Sequence, residues 1–185
     1  MTVTIGSGLT VLLGGARSGK SNLAVKLAKT WEQESGPSVM FVATAEALDQ
    51  DMADRINRHQ DDRPDRWQTI EQPCFGASDV DAIADDDLLV LDCLTLLVSN
   101  LLLAEQPIGP HISVLAERLA VRPGPSIVVS NEVGMGVHPE TELGRIYRDE
   151  LGYGNRMMAE RAETALLVVA GRALALEPVD WGADL

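Results

Sequence analysis

Gly14-Gly15-Ala16-Arg17-Ser18-Gly19-Lys20-Ser21 fits the spacing G-x-x-x-x-G-K-[ST] at every fixed position. Glycines in such a run let the backbone turn inward and aim successive N–H groups at one point, forming an anion nest. A helix starting near Lys20 adds the positive end of its dipole to the same point. The chemistry this supports is phosphate binding: the eight residues wrap the phosphates, Lys20 reaches the β- and γ-phosphates, and the Ser21 hydroxyl is a ligand for Mg2+. A glycine-rich strand-to-helix turn without a ligand is the plainer alternative. The apolar run before the loop and the amphipathic helical pattern after it favour the phosphate reading.

Two further segments fall where such a loop needs partners. "LLVLD" (88–92) is four apolar residues ending in Asp92, a carboxylate at a strand tip about 70 residues downstream of the loop, suited to orienting Mg2+ directly or through water. "SNEVGMG" (130–136) begins where the run "SIVVS" ends, at the same carboxyl edge of a sheet, where ligands of open α/β folds collect. Gly134 and Gly136 permit tight backbone there. Glu132 has two readings: it orients an accepting hydroxyl or a magnesium-bound water, or it caps the segment that follows.

The third stretch is "TAEALDQDMADRINRHQDDRPDRWQTIEQP", Thr44 to Pro73. Asp49 is a candidate N-cap, and Met52, Ile56 and His59 then share one helical stripe. His59 reads either as a histidine closing an apolar face or as a chemical group. Arg55, Arg58, Arg63 and Arg66 surround it, balanced by Asp54, Asp61, Asp62 and Asp65, so the segment is locally neutral. Against the charge of −13 for the whole chain, that neutrality is a relative positive.

The elements that must hold these groups are legible as short runs: strands at 10–13, 39–43, 88–92, 126–130 and 165–170, each apolar throughout, as in a parallel sheet covered on both faces. Helical spacing fills 20–34, 49–62, 93–104, 111–121 and 140–163. Alternation of this kind implies right-handed crossovers and a layered α/β fold. A last run, 172–176, follows Gly171 too closely for a crossover and is expected to return antiparallel at the sheet edge. No repeat or linker divides residues 1–185, so one nucleotide-binding domain is expected.

Composition narrows the partners. With 28 acidic and 15 basic residues the surface repels nucleic acid backbones, so any anionic ligand needs a local site working against the overall field. The longest apolar tract, Leu94 to Ala104, contains Ser99 and Asn100 and falls short of the roughly 20 residues that span a bilayer. The first ten residues show no leader pattern, which points to the cytoplasm. Cys74 and Cys93 have neither metal nor redox spacing and read as reduced thiols.

Taken together, "GGARSGKS", "VATAEALDQDMADRINRHQDDRP", "WQTIEQP", "LLVLDCLTLLVSNLL", "VVSNEVGMGVHPE" and "YRDELGYGN" resemble the bifunctional adenosylcobinamide kinase / adenosylcobinamide-phosphate guanylyltransferase family of cobalamin biosynthesis. The resemblance covers nearly the whole chain. It implies a three-layer P-loop NTPase fold, RecA-like, with a mostly parallel sheet and a C-terminal antiparallel edge strand. It implies two reactions: phosphorylation of the adenosylcobinamide hydroxyl by ATP or GTP, then transfer of GMP from GTP through a histidine to the new phosphate. That histidine maps onto His59, with His138 the fallback, and Arg55 and Arg63 are the arginines implied to neutralise nucleotide charge. A homo-oligomer, a trimer, is also implied. Two lesser readings are a kinase alone, with His59 packed in a core, and a nucleotide-binding switch without small-molecule chemistry. The chain departs from the family pattern at His138, where an apolar residue is common, and at Arg156, where glutamine is usual, while Asn155 fits. Gly154 is expected to weaken its helix by about 1 kcal/mol.

Overall fold

Runs that are apolar at every position have no face to show to water, and here they become the inner strands of one sheet. The computed structural model describes residues 5–36, 38–46 and 63–179. Its strands are β1 (Leu9–Leu13), β2 (Val39–Ala43), β3 (Gln68–Glu71), β4 (Leu88–Asp92), β5 (Ser126–Val129), β6 (Thr164–Val169) and β7 (Arg172–Ala175). Their spatial order is β3-β2-β4-β5-β1-β6-β7. Every pairing is parallel except β6 with β7.

One face of the sheet is covered by α1 (Lys20–Ser35), which packs Ala24, Leu27 and Ala28 against Leu12, Phe41, Val90 and Val129. The short α2 (Ala77–Val80) and the longer α3 (Leu94–Leu103), α4 (Ile108–Val121) and α5 (Glu142–Arg161) share the core of the other face, with Val11, Val42, Leu91 and Val128. The result is the expected three-layer fold. Because all the inner strands run the same way, the phosphate loop, Asp92 and the segment after β5 emerge at one edge.

β3 is an addition that the apolar pattern did not announce. All four of its residues are exposed, and "QTIE" contains no apolar run; main-chain pairing with β2, from Met40 opposite Gln68 to Ala43 opposite Glu71, places it. α4 begins at Ile108, ahead of the expected 111, with Pro110 in a first turn that tolerates a missing N–H. The expected helix at 49–62 and its Asp49 cap lie outside the described residues. The C-terminal hairpin forms as expected, and its two-residue turn carries positive φ at Ala170 and Gly171, 51° and 73°, as a type I′ turn requires.

α5 runs unbroken through Gly154. That glycine is buried where α5 crosses α3 and α4, and a Cβ there would meet Ile112, Val98 and Leu94 at 3.7–3.9 Å. The departure thus sits in a helix contact, and tertiary packing outweighs the lost propensity. Arg156 is on the exposed side and pairs with Glu160 at 3.2 Å. Among the described residues, no helix is long and apolar enough to cross a membrane.

Candidate active site

The loop from Gly14 to Gly19 leaves β1 and enters α1 through two glycines and Arg17 in conformations with positive φ. Lys20 opens α1 and is only 6% exposed. Its Nζ donates to the Gly15 carbonyl at 2.7 Å and reaches Ser18 Oγ at 3.4 Å. The ammonium is thereby held inside the loop, where an arriving phosphate offers it a charged acceptor. Two neighbouring segments brace the loop from outside. Glu132 N–H donates to the Gly14 carbonyl at 3.0 Å, and Gly171 N–H, from the hairpin turn, donates to Ser18 O at 2.9 Å.

Ser21, in the first turn of α1, lies 3.5 Å from Asp92 Oδ1 through its Oγ. The two residues are 71 apart in sequence, and the sheet order brings them together. A hydroxyl and a carboxylate are the hard oxygen donors that Mg2+ takes, usually only one or two from the protein. Ser21 Oγ and Asp92 Oδ1 are donors of that kind, and among the described residues no cluster of three or more His, Cys, Asp or Glu side chains could hold a metal.

Behind the pair, Thr44 and Asn100 fix the edge. Thr44 Oγ1 donates to Cys93 O at 2.7 Å and accepts Cys93 N–H at 2.9 Å. Asn100 Nδ2 donates to both Thr44 O and Pro73 O at 2.9 Å, tying together the chain after β2 and the chain after β3. These are the two ends of the histidine segment. His59, Arg55 and Arg58 themselves lie outside the described residues.

The described end of that segment is anchored on the α1 face. Arg63 places its guanidinium 3.6 Å from the centroid of the Phe41 ring, a cation–π contact, at the rim of a cavity of about 190 Å³ shared with Pro64, Asp65, Trp67 and Thr69. Arg66 grips the Glu32 carboxylate with two N–H groups, and Trp67 Nε1 donates to the same carboxylate at 3.1 Å. The hydrogen bond from Arg66 is the largest cause that holds Glu32 below its ordinary value of 4.5. A depressed carboxylate stabilises the fold above its unfolded pKa and loses that contribution as pH falls through the folded value. Glu32→Gln should therefore flatten the acid limb: its melting temperature should decline less than wild type between neutral pH and well below 4.5. Parallel limbs in a thermal denaturation series would contradict this.

Glu132 stands beside the phosphate loop, as the sequence places it. Its carboxylate accepts Gly134 N–H at 2.6 Å, which is the capping arrangement. His138, exposed, accepts a hydrogen bond from Arg148 Nη1 on Nδ1 at 2.9 Å. Arginine can only donate, so in the neutral ring the proton sits on Nε2 and neither nitrogen offers a free lone pair. His111, in the first turn of α4 on the other face of the sheet, donates its Nε2–H to Phe75 O at 2.9 Å.

A buried polar net that sequence reasoning did not foresee lies under the segment after β5. Ser130 Oγ donates to Asn155 Oδ1 at 2.6 Å, and Asn155 Nδ2 donates to Asn131 O at 3.0 Å. Thr95 Oγ1 accepts Asn131 N–H at 2.7 Å, and Tyr147 Oη donates to Thr95 O at 3.4 Å. Burial pushes the Tyr147 phenol up to about 12, with Cys93 a smaller cause, so it remains a donor at neutral pH.

A nest between the first strand and helix, a lysine within it and a Ser–Asp pair at the same sheet edge define a P-loop nucleoside triphosphate-binding protein. The model of the cobinamide kinase / cobinamide phosphate guanyltransferase family matches residues 10–176, and the chain belongs to that family. The bifunctional adenosylcobalamin biosynthesis protein CobP of Pseudomonas aeruginosa is 44% identical over 170 residues, covering 90% of this chain and 96% of that protein. The corresponding protein CobU of Salmonella typhimurium is 37% identical over 181 residues, 88% and 96% of the two chains. A KaiC-like protein from the archaeon Pyrococcus horikoshii shares the fold, with a TM-score of 0.53 at 17% identity over 87% of this chain and 70% of that one.

Proposed function

We propose that this chain carries out two transfers on one nucleotide-binding domain: phosphorylation of adenosylcobinamide, then guanylylation of the product. The observation that carries the reading is the convergence of the phosphate loop, buried Lys20 and the Ser21–Asp92 pair at one sheet edge, in a chain whose family is named for both activities.

In the first transfer the adenosylcobinamide hydroxyl oxygen attacks the γ-phosphorus of ATP or GTP. The new P–O bond replaces the bond to the β-phosphate, and the hydroxyl proton leaves to a base or to water. Glu132 is the candidate to orient that hydroxyl, once its carboxylate exchanges the Gly134 N–H for substrate. The backbone of Gly14 to Ser21 binds the phosphates, and Lys20 meets the charge that develops on them. Ser21 and Asp92 are the residues that would hold Mg2+, whose bound charge neutralises phosphate oxygens.

In the second transfer a nitrogen of neutral His59 attacks the α-phosphorus of GTP. An N–P bond forms, the P–O bond to the β-phosphate breaks, and pyrophosphate departs with the electron pair while the other ring nitrogen gives its proton to solvent. A phosphate oxygen of adenosylcobinamide phosphate then displaces the histidine, yielding adenosyl-GDP-cobinamide. An imidazole suits the step because its reference pKa of about 6.5 leaves it largely neutral at pH 7. Arg55 and Arg63 are the cations assigned to the nucleotide.

A homo-oligomer, a trimer by resemblance to the family, is the assembly proposed; exposed Met135, Val137, Leu143, Ile146 and Tyr153 give it apolar surface to cover. The test of function is direct. Incubation with GTP and magnesium should add one GMP to the intact protein mass, and adenosylcobinamide added to the adduct and GTP should appear as its GDP derivative. Turnover of cobinamide with ATP and no adduct would leave a kinase alone.

A further inference from the structure

The segment after β5 is built with more care than a connecting loop requires. Ser130 N–H donates to Leu12 O at 2.9 Å and Glu132 N–H to Gly14 O at 3.0 Å, so the ladder with β1 continues three residues past the end of β5. In an extended chain, side chains alternate between faces. Val129 lies on the α1 face, and Ser130 points the other way, into its bond with Asn155 on α5. Asn131 therefore returns to the α1 face. Asp92 reaches that face too, since its Oδ1 meets Ser21 of α1. β5 lies between β4 and β1, so Asn131 stands between the end that carries Asp92 and the end that becomes the phosphate loop.

Its backbone is clamped on both sides, the N–H by Thr95 Oγ1 at 2.7 Å and the carbonyl by Asn155 Nδ2 at 3.0 Å. Thr95 and Asn155 are 6% and 5% exposed. Two buried groups spent on the backbone of one residue hold the direction of a half-buried side chain, to whose amide nothing among the described residues hydrogen-bonds. We infer that Asn131 is a nucleotide-contacting residue whose side-chain N–H donates to the terminal phosphate, with Thr95 and Asn155 the positioning residues that aim it. The inference rests on the reading of the loop as a triphosphate site and goes beyond it by naming a residue that distinguishes tri- from diphosphate.

The experiment is calorimetric titration of the full chain with Mg2+ and either a non-hydrolysable ATP analogue or ADP. One charge-assisted hydrogen bond is worth about tenfold in affinity. Asn131→Ala should weaken the ATP analogue about tenfold and leave ADP within about twofold. Thr95→Val, which keeps shape and loses the acceptor, should show the same selective loss, and Thr95→Ser should restore wild-type values. Equal affinities of N131A and wild type for the ATP analogue would overturn the contact. Equal weakening of both nucleotides by T95V, with T95S no better, would make Thr95 a structural residue and remove the clamp. A wild-type chain that binds neither nucleotide would overturn the site itself. Phosphorylation of adenosylcobinamide, measured separately, reports on the proposed reaction and not on this contact.

Discussion

Replacing His59 with alanine should abolish the GMP adduct and lower guanylyl transfer by at least about 10³-fold, while phosphorylation of adenosylcobinamide should stay within a few-fold of wild type. The asymmetry follows from which phosphorus is attacked. In the proposed reaction, γ-phosphoryl transfer draws on the nest, Lys20, Ser21 and Asp92, and needs no nucleophile from the protein. Attack at the α-phosphorus by way of a covalent intermediate requires one, and the chain has three histidines. His138 has its Nδ1 occupied by Arg148, and His111 sits in the first turn of α4, on the face of the sheet opposite α1, so neither is disposed to substitute. Lys20→Ala is the contrasting protein: with the nest's cation removed, both transfers should fall by about 10²- to 10³-fold. Intact mass after GTP, beside a coupled assay of cobinamide phosphorylation with ATP, reads both. An undiminished adduct in the His59→Ala protein would move the nucleophile elsewhere.

What could be read in advance divides along a physical line. Side-chain types that serve one purpose at fixed spacing were legible: the glycines, Lys20 and Ser21 declare a phosphate loop, and a wholly apolar run ending in Asp92 declares its partner. Strands buried on both faces were legible because burial dictates composition. β3 was not, since an exposed edge strand is placed by main-chain pairing and "QTIE" carries no apolar pattern. Nor was the clamp. Thr95, Ser130 and Asn155 sit 35 and 25 residues apart, and no periodicity links them. Their meeting is a product of strand order and of the angle at which α5 crosses α3. Asn155 stood out only as a match to the family pattern, with nothing in its neighbours to say that it holds a peptide in place. The hairpin turn was half legible: Gly171 signals it, whereas Ala170 adopts a left-handed conformation that its type does not favour.

Gly14→Ala should be among the most destabilising single substitutions in the chain, although it adds one methyl group. The residue has φ of 151°, where L-residues are rarely found, and an added Cβ would stand 2.2 Å from the carbonyl oxygen of Val168. That carbonyl belongs to β6, which is fixed in register against β1 on one side and β7 on the other, so it cannot withdraw as a flexible side chain would. Backbone strain and forced overlap each cost about 1–3 kcal/mol, giving a loss of about 2–6 kcal/mol. For a chain of this length that is a fall in melting temperature of about 4–24 °C. Gly15→Ala is the internal control: an added Cβ there meets nothing within 4 Å, and its stability should stay within about 0.5 kcal/mol of wild type. Thermal unfolding of the two proteins separates the glycine that the fold requires from its neighbour. A Gly14→Ala protein that melts with wild type would mean that β6 yields and that the loop is braced less firmly than the Gly14–Val168 approach implies. Because Gly14 also offers its carbonyl to Glu132 N–H, the strain should spread to the segment carrying Asn131, so nucleotide affinity should fall along with stability in this one variant.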